Sequence, residues 1–170
     1  STHVFAYSTF VELNVKTLMD KKPISMSKFS IGMNVNEYCN STFEIDQSML
    51  KQKGKTILFS ICRHIERKGL DILVRSLALL NGKNNDWHLF IGGEGPDTKR
   101  ISKIIDENNL NDHITLLGKI SEPILHGFFR DSDIFILPIR MLDNGDADGS
   151  PIVFIQASAY SLPCIGGDLP

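Results

Sequence analysis

The chain has 170 residues, 42% of them apolar and 22% charged, with a formal net charge of -2. That length holds one domain with a sizeable core, or one domain and part of another. The charge leaves no basic footprint for nucleic acid, no apolar run approaches the roughly 18 residues of a membrane span, and the first residues lack the basic-then-apolar layout of a secretory signal, so a cytoplasmic setting is expected.

In chain order, HVFAYS predicts a strand, TFVELNVKTLMD a helix and KFSIGM (28–33) another strand. Residues 36–55 are polar and poor in pattern, so residues 1–50 read as a separate αβ piece and a linker. Five short apolar runs follow: TILFSI (56–61), WHLFIGG (87–93), HITLLGK (113–119), DIFILPI (133–139) and PCIGG (163–167). Each is too continuously apolar for a sheet with one wet face, which predicts burial on both faces. Between them, Leu70, Leu73, Val74 and Leu77 make one helical stripe ending near Asn81-Gly82. Ile101, Ile104 and Ile105 make a shorter stripe, and Ser121 to Arg130 supplies a helix with Pro123 in its first turn.

Strand and helix alternating in this way predict an α/β, Rossmann-like open parallel sheet with helices on both faces. Ligands of such sheets bind beyond the carboxyl ends of the strands. The stretch DADGSPIVFIQ (146–156) lies there, with Ser150 as a helix N-cap and Pro151 in the first helical position. The amides and dipole of that helix start attract anions. The chain stops just after a strand, at GGDLP, and reads as a piece of a longer protein.

Three stretches carry candidate chemistry. In CRHIERKG (62–69), Arg63 and Lys68 flank a helix start, a fork and a point charge suited to a diphosphate, although a solvated basic loop reads the same. IGGEGPD (91–97) lacks the third glycine of a dinucleotide fingerprint, and Gly93 and Gly95 more simply permit a tight strand-to-helix turn. Asp143, Asp146 and Asp148 form an acidic loop that could hold magnesium, but Asn144 and Gly145 favour a solvated turn. Cys39, Cys62 and Cys164 have no CxxC spacing and read as reduced, partly buried thiols, and no histidine pair has metal spacing. His64 stands out for adjoining Arg63.

Taken in order, these stretches resemble the family 4 glycosyltransferases of GT-B architecture. CRHIERKG is similar to the family's G-R-x-x-x-x-K-G loop with Cys62 in place of the glycine, and IGGEGP to its V-G-x-G-P turn. ITLLGKI resembles x-F-L-G-x-V, and DIFILP resembles A-D-x-x-x-x-P-S. Asp148 to Pro163 falls on E-G-x-G-x-x-x-x-E-A-x-A-x-G-x-P, with Tyr160 and Ser161 where the family has a small residue and glycine. The likeness covers residues 55–170 well, and more loosely residues 1–38, with IGMNVNE like I-P-N-G-V-D.

The resemblance implies a nucleotide-sugar donor, UDP- or GDP-linked, whose sugar passes with retained configuration to a glycan or lipid-linked acceptor. Lipopolysaccharide or capsule synthesis is a fitting setting. It implies no cofactor or essential metal, and it leaves peripheral membrane association of the parent protein open. Residues 1–50 would be the edge of the acceptor-side domain and a linker, the rest of that domain being absent, and residues 51–170 the donor-binding domain, cut at its carboxyl end. Arg63, Lys68 and the amides near Ser150, Pro151 and Ile152 would surround the diphosphate, and Gly93 would sit in the donor-side turn. Asp148 would lie near the transferred sugar, and backbone near Lys119 and Ile120 would read the base. Gln156, about 7.5 Å along the helix from Pro151, would meet the ribose. Glutamine in place of the family's glutamate should weaken that contact by roughly 1 kcal/mol, about fivefold in affinity. Asp148 is one methylene shorter than the family's residue, so its sugar contact would be lost or carried by water. A non-catalytic binding or scaffolding domain is the rival reading, and a sugar-nucleotide epimerase of the same architecture a third.

Overall fold

The computed structural model describes residues 3–6, 9–18, 25–28, 32–35, 38, 54–80, 82–83, 85–148 and 151–168. Two parallel sheets form. The smaller pairs β1 (His3–Ala6) with β2 (Ser25–Lys28) across α1 (Thr9–Leu18), in the register His3↔Ser25 to Ala6↔Lys28. The second strand meets the expected KFSIGM at Lys28; of the rest of that segment, residues 29–31 lie outside the described residues and Gly32 and Met33 are not in a strand. The strand's earlier residues, Ser25 to Ser27, carry no apolar run and are anchored by polar contacts instead. His3 Nδ1 and Nε2 lie 2.7 and 3.0 Å from the Ser25 and Ser27 hydroxyls, which share one face at the two-residue period.

The larger sheet contains β3 (Thr56–Ile61), β4 (Trp87–Gly92), β5 (Ile114–Gly118), β6 (Ile134–Leu137) and β7 (Cys164–Gly166) in the order β5-β4-β3-β6-β7. All neighbours are parallel. The helices α2 (Leu70–Ala78), α3 (Thr98–Glu107), α4 (Glu122–Asp131) and α5 (Ile152–Ala159) connect them. The chain enters at the centre, runs outward to β5, then returns to the other side of β3. The strand order therefore reverses between β3 and β6, and the crevice at that reversal is where doubly wound sheets take ligands.

Phe90, Phe59 and Phe135 are register partners across the three central strands, so they form one aromatic row on one face. Phe128 and Phe129 of α4 pack onto this row, with Phe128 stacked on Phe59 at 4.8 Å, and Phe154 of α5 meets Phe135 edge-on at 5.5 Å. Right-handed crossovers then place α2 and α3 on the opposite face, where Leu70, Leu73, Val74, Leu77, Ile101, Ile104 and Ile105 are all buried.

Central strands are buried as their apolar runs predict, but β5 is only half-buried beyond Ile114 and β7 is exposed. Both lie at sheet edges. The expectation of two buried faces fails there, because an apolar run does not report what packs on a strand's faces. Pro151 is also displaced from its expected place, standing at the N-cap with extended backbone (ψ 110) rather than in the first turn of α5. Ser150, the expected cap, lies outside the described residues, as does Cys39. At the exit of α5, Tyr160 reaches His126 Nδ1 at 2.5 Å and the Tyr38 carbonyl at 3.3 Å, and Ser161 takes left-handed backbone (φ 57).

Candidate functional site

Because every strand of the larger sheet is parallel, all the strand-to-helix loops gather at one edge. The loop after β3 and the loop after β6 flank the reversal of strand order. Their backbones are stitched together, since the Arg140 N–H donates to the Arg67 carbonyl at 2.9 Å. Gly69 (φ 70) permits the approach, as a Cβ there would stand 2.0 Å from the Pro138 carbonyl oxygen.

This stitching brings Lys68 and Asp148 into contact. Lys68 Nζ lies 2.6 Å from Asp148 Oδ2, and the two side chains are only 14% and 16% exposed. The contact is a charge pair lacking hydrogen-bond geometry, which leaves Asp148 Oδ2 without a hydrogen bond. Arg67, which the sequence did not single out, donates through Nη1 to both oxygens of Asp146 at 2.9 and 3.2 Å. Its Nε also lies 3.5 Å from Asp148 Oδ1. The hydrogen bond to Asp146 raises the Arg67 pKa above its ordinary value. Only the adjacency of two cations, and two acids two residues apart, hinted at such pairing. The 79-residue separation hid it.

Arg63 does not join this cluster. Its side chain is exposed and makes no hydrogen bond or ion pair among the described residues. The acidic loop is built as a turn: Asn144 Oδ1 accepts the Asp146 N–H at 3.0 Å, and the Gly145 N–H donates to the Leu142 carbonyl at 2.8 Å. No group of three metal-ligating side chains occurs among the described residues. Cys62 is buried at the head of the loop, where desolvation, countered by Lys68 and reinforced by Asp148, pushes its thiol up to about 12. A thiol so protonated is no nucleophile at neutral pH.

Beside this cluster, an open cleft of about 750 Å³ lies over the carboxyl ends of β4 and β5, lined by Gly93, Glu94, Gly95, Lys99, Gly118 and Lys119 among others. Gly93 (φ 100) and Gly95 let the glycine turn press against the loop after β3, because a Cβ at either would fall 2.0 Å from the Cys62 carbonyl oxygen or 2.3 Å from that of His64. His64 closes this junction. Its Nε2 lies 3.3 Å from the Gly92 carbonyl, which can only accept, so Nε2 carries the proton, and Nδ1 lies 3.0 Å from the Thr98 hydroxyl, which also faces the Gly95 carbonyl at 2.9 Å. Burial lowers its pKa below the ordinary value, against the smaller opposing pull of the Gly92 bond and of Glu94 and Asp97. The residue is a neutral structural clasp.

Lys119 Nζ stands 3.9 Å from Glu94 Oε2 across the mouth of the cleft, while Ile120 turns its side chain towards Gly92. Ile152 is exposed and Gln156 half-buried on α5. The expected residues therefore fall into three places on one edge: Gly93 and Lys119 at the cleft, Lys68 and Asp148 at the strand reversal, and Ile152 and Gln156 on the following helix. Cleft and reversal lie about two strand spacings apart, ~10 Å.

No helix among the described residues is long and apolar enough to cross a membrane. Comparison with known proteins accords with this geometry. The chain is 32% identical over 109 residues to a GDP-mannose-dependent alpha-(1-6)-phosphatidylinositol monomannoside mannosyltransferase of Mycobacterium tuberculosis, covering 64% of this chain and 28% of that protein. It is 27% identical over 108 residues to a putative colanic acid biosynthesis glycosyltransferase, WcaL, of Salmonella typhimurium, covering 64% of this chain and 27% of the relative. It thus spans under a third of these relatives' length. Among solved structures, HepE of Anabaena in complex with UDP and glucose shares the fold at a TM-score of 0.76 and 13% identity, over 98% of this chain and 44% of that one. The family described as glycosyl transferases group 1 matches residues 41–170, and this chain belongs to it.

Proposed function

We propose that this chain supplies the donor-binding half of a retaining glycosyltransferase that uses a nucleoside diphosphate sugar. The observation that carries the reading is the Lys68–Asp148 pair at the strand reversal, with the glycine-turn cleft next to it. A sugar leaves a nucleoside diphosphate only as negative charge builds on the diphosphate, so cations and amides fixed there lower the barrier. In this reading Lys68 meets the diphosphate, Arg63 swings in from solvent, and the backbone N–H groups of the first turn of α5, from Ile152 onward, supply further donors.

The base then occupies the cleft, against Gly93 and the backbone at Lys119 and Ile120, and Gln156 receives the ribose. Asp148 exchanges Lys68 for the sugar as the donor arrives. UDP beside HepE and the GDP-mannose dependence of the mycobacterial relative support a UDP- or GDP-linked donor. The acceptor is a glycan or lipid-linked sugar, and the remainder of the acceptor side comes from outside residues 41–170.

Calorimetry with UDP, GDP and ADP tests the reading. One of them should bind wild type, and Lys68→Ala and Arg63→Ala should each weaken it by about tenfold, the loss of one charge-assisted contact of roughly 1.5 kcal/mol. Unchanged affinity in both variants would remove the diphosphate site. Donor turnover by the full-length protein separates the enzyme from a binding domain, which shows none above background.

A further inference from the structure

Arg67 is a second cation beside Asp148 at the strand reversal, and the donor site described above does not use it. Its side chain is committed to the loop after β6, through both oxygens of Asp146 and through Nε against Asp148. Its carbonyl meanwhile accepts the Arg140 N–H. Residue 67 thus holds that loop at both ends, near its start by the main chain and near its finish by the guanidinium. Between these points the loop is a self-bonded turn, with the Leu142 N–H on the Asp146 carbonyl at 2.9 Å and Asn144 Oδ1 on the Asp146 N–H. A turn gripped in this way moves as a unit.

We infer that Arg67 is a positioning residue whose grip on Asp146 keeps Asp148 beside Lys68 at the site of transfer. This rests on the donor-site reading only for the role of Asp148, not for the anchoring itself. A guanidinium suits the task better than an ammonium, because it spreads donors over a plane while staying charged at any working pH.

The test uses the full-length protein as wild type, Arg67→Ala, Arg67→Lys, Asp146→Ala and the double exchange Arg67→Asp with Asp146→Arg. Hydrogen exchange is followed over residues 140–148, and donor kcat and KM are measured in parallel. Arg67→Ala and Asp146→Ala should each speed exchange there by about fivefold, as expected for a half-exposed pair, and lower kcat by a similar factor while donor KM moves less than about twofold. The double exchange should restore both, and Arg67→Lys should restore part. Unchanged exchange in Arg67→Ala overturns the inference. So does a rise in KM for Arg67→Ala with a fall for Asp146→Ala, the opposite signs expected if the guanidinium itself binds phosphate. If the wild type neither binds nor turns over a nucleotide sugar, the functional reading fails while the exchange measurement still decides the anchoring.

Discussion

Replacing Asp148 with asparagine should push donor-product binding and catalysis in opposite directions. The Asp148 carboxylate sits 2.6 Å from Lys68 Nζ, where it competes with any incoming phosphate. A phosphate oxygen bonded to the same Nζ at ~2.8 Å would lie within about 5 Å of Oδ2. Two unit charges at that distance repel by about 0.8 kcal/mol in bulk water and about 3 kcal/mol at an effective dielectric of 20. With side chains 14% and 16% exposed, the site lies between those limits. Asp148→Asn should then bind UDP or GDP about tenfold more tightly at low salt, with the gain shrinking as salt rises. The same change strips Lys68 of its partner, so the melting temperature should drop by about 2–4 °C, the equivalent of ~1 kcal/mol for a chain of this size. Turnover by the full-length protein should fall, since the carboxylate assigned to the sugar is gone. Calorimetry at two salt concentrations reads the affinity. Equal or weaker nucleotide binding, in a variant that still unfolds cooperatively, would refute the competition between Asp148 and phosphate.

Gly93→Ala places a methyl 2.0 Å from the Cys62 carbonyl oxygen on left-handed backbone, and should cost at least about 3 kcal/mol in a urea melt. Ser161→Gly relieves a left-handed serine (φ 57) at the exit of α5 and should raise stability by about 0.5–1 kcal/mol, read as a higher urea midpoint. His64 and His88 both have pKa values lowered first of all by burial, so the unfolded chain binds more protons than the folded one in mild acid. Their contribution is complete above the unfolded value of about 6.5 and is lost as pH falls through the lower folded values. A His64→Asn variant should show a shallower loss of urea midpoint between pH 7.5 and 5 than wild type, and an identical slope would deny His64 that role. Gln156→Glu should tighten ribonucleotide binding by about fivefold over the deoxy form, measured by calorimetry.

Much of the larger sheet was legible because its central strands bury both faces, which writes them as unbroken apolar runs such as TILFSI and WHLFIG. The helix stripe at Leu70, Leu73, Val74 and Leu77 was equally plain, and all four residues are buried. Face exposure was not legible, since β5 and β7 carry the same kind of run yet are half-buried and exposed. The strand Ser25–Lys28 escaped because its anchoring contacts are polar, between His3 and two serines. At the site, the glycine turn and the Lys68 and Asp148 positions were visible as motifs, but their mutual neutralisation was not. An ion pair between residues 68 and 148 depends on two loops meeting across the strand reversal. The same holds for Arg67 and Asp146, and for Arg63, whose motif position suggested a clamp while its side chain is exposed.

A crystal structure of the chain with a UDP- or GDP-sugar tests the account most directly. The diphosphate should lie between Lys68, Arg63 and the first amides of α5, with Lys68 Nζ about 3 Å from a phosphate oxygen and Asp148 released towards the sugar. A diphosphate bound elsewhere, with Lys68 and Asp148 still paired, would contradict it.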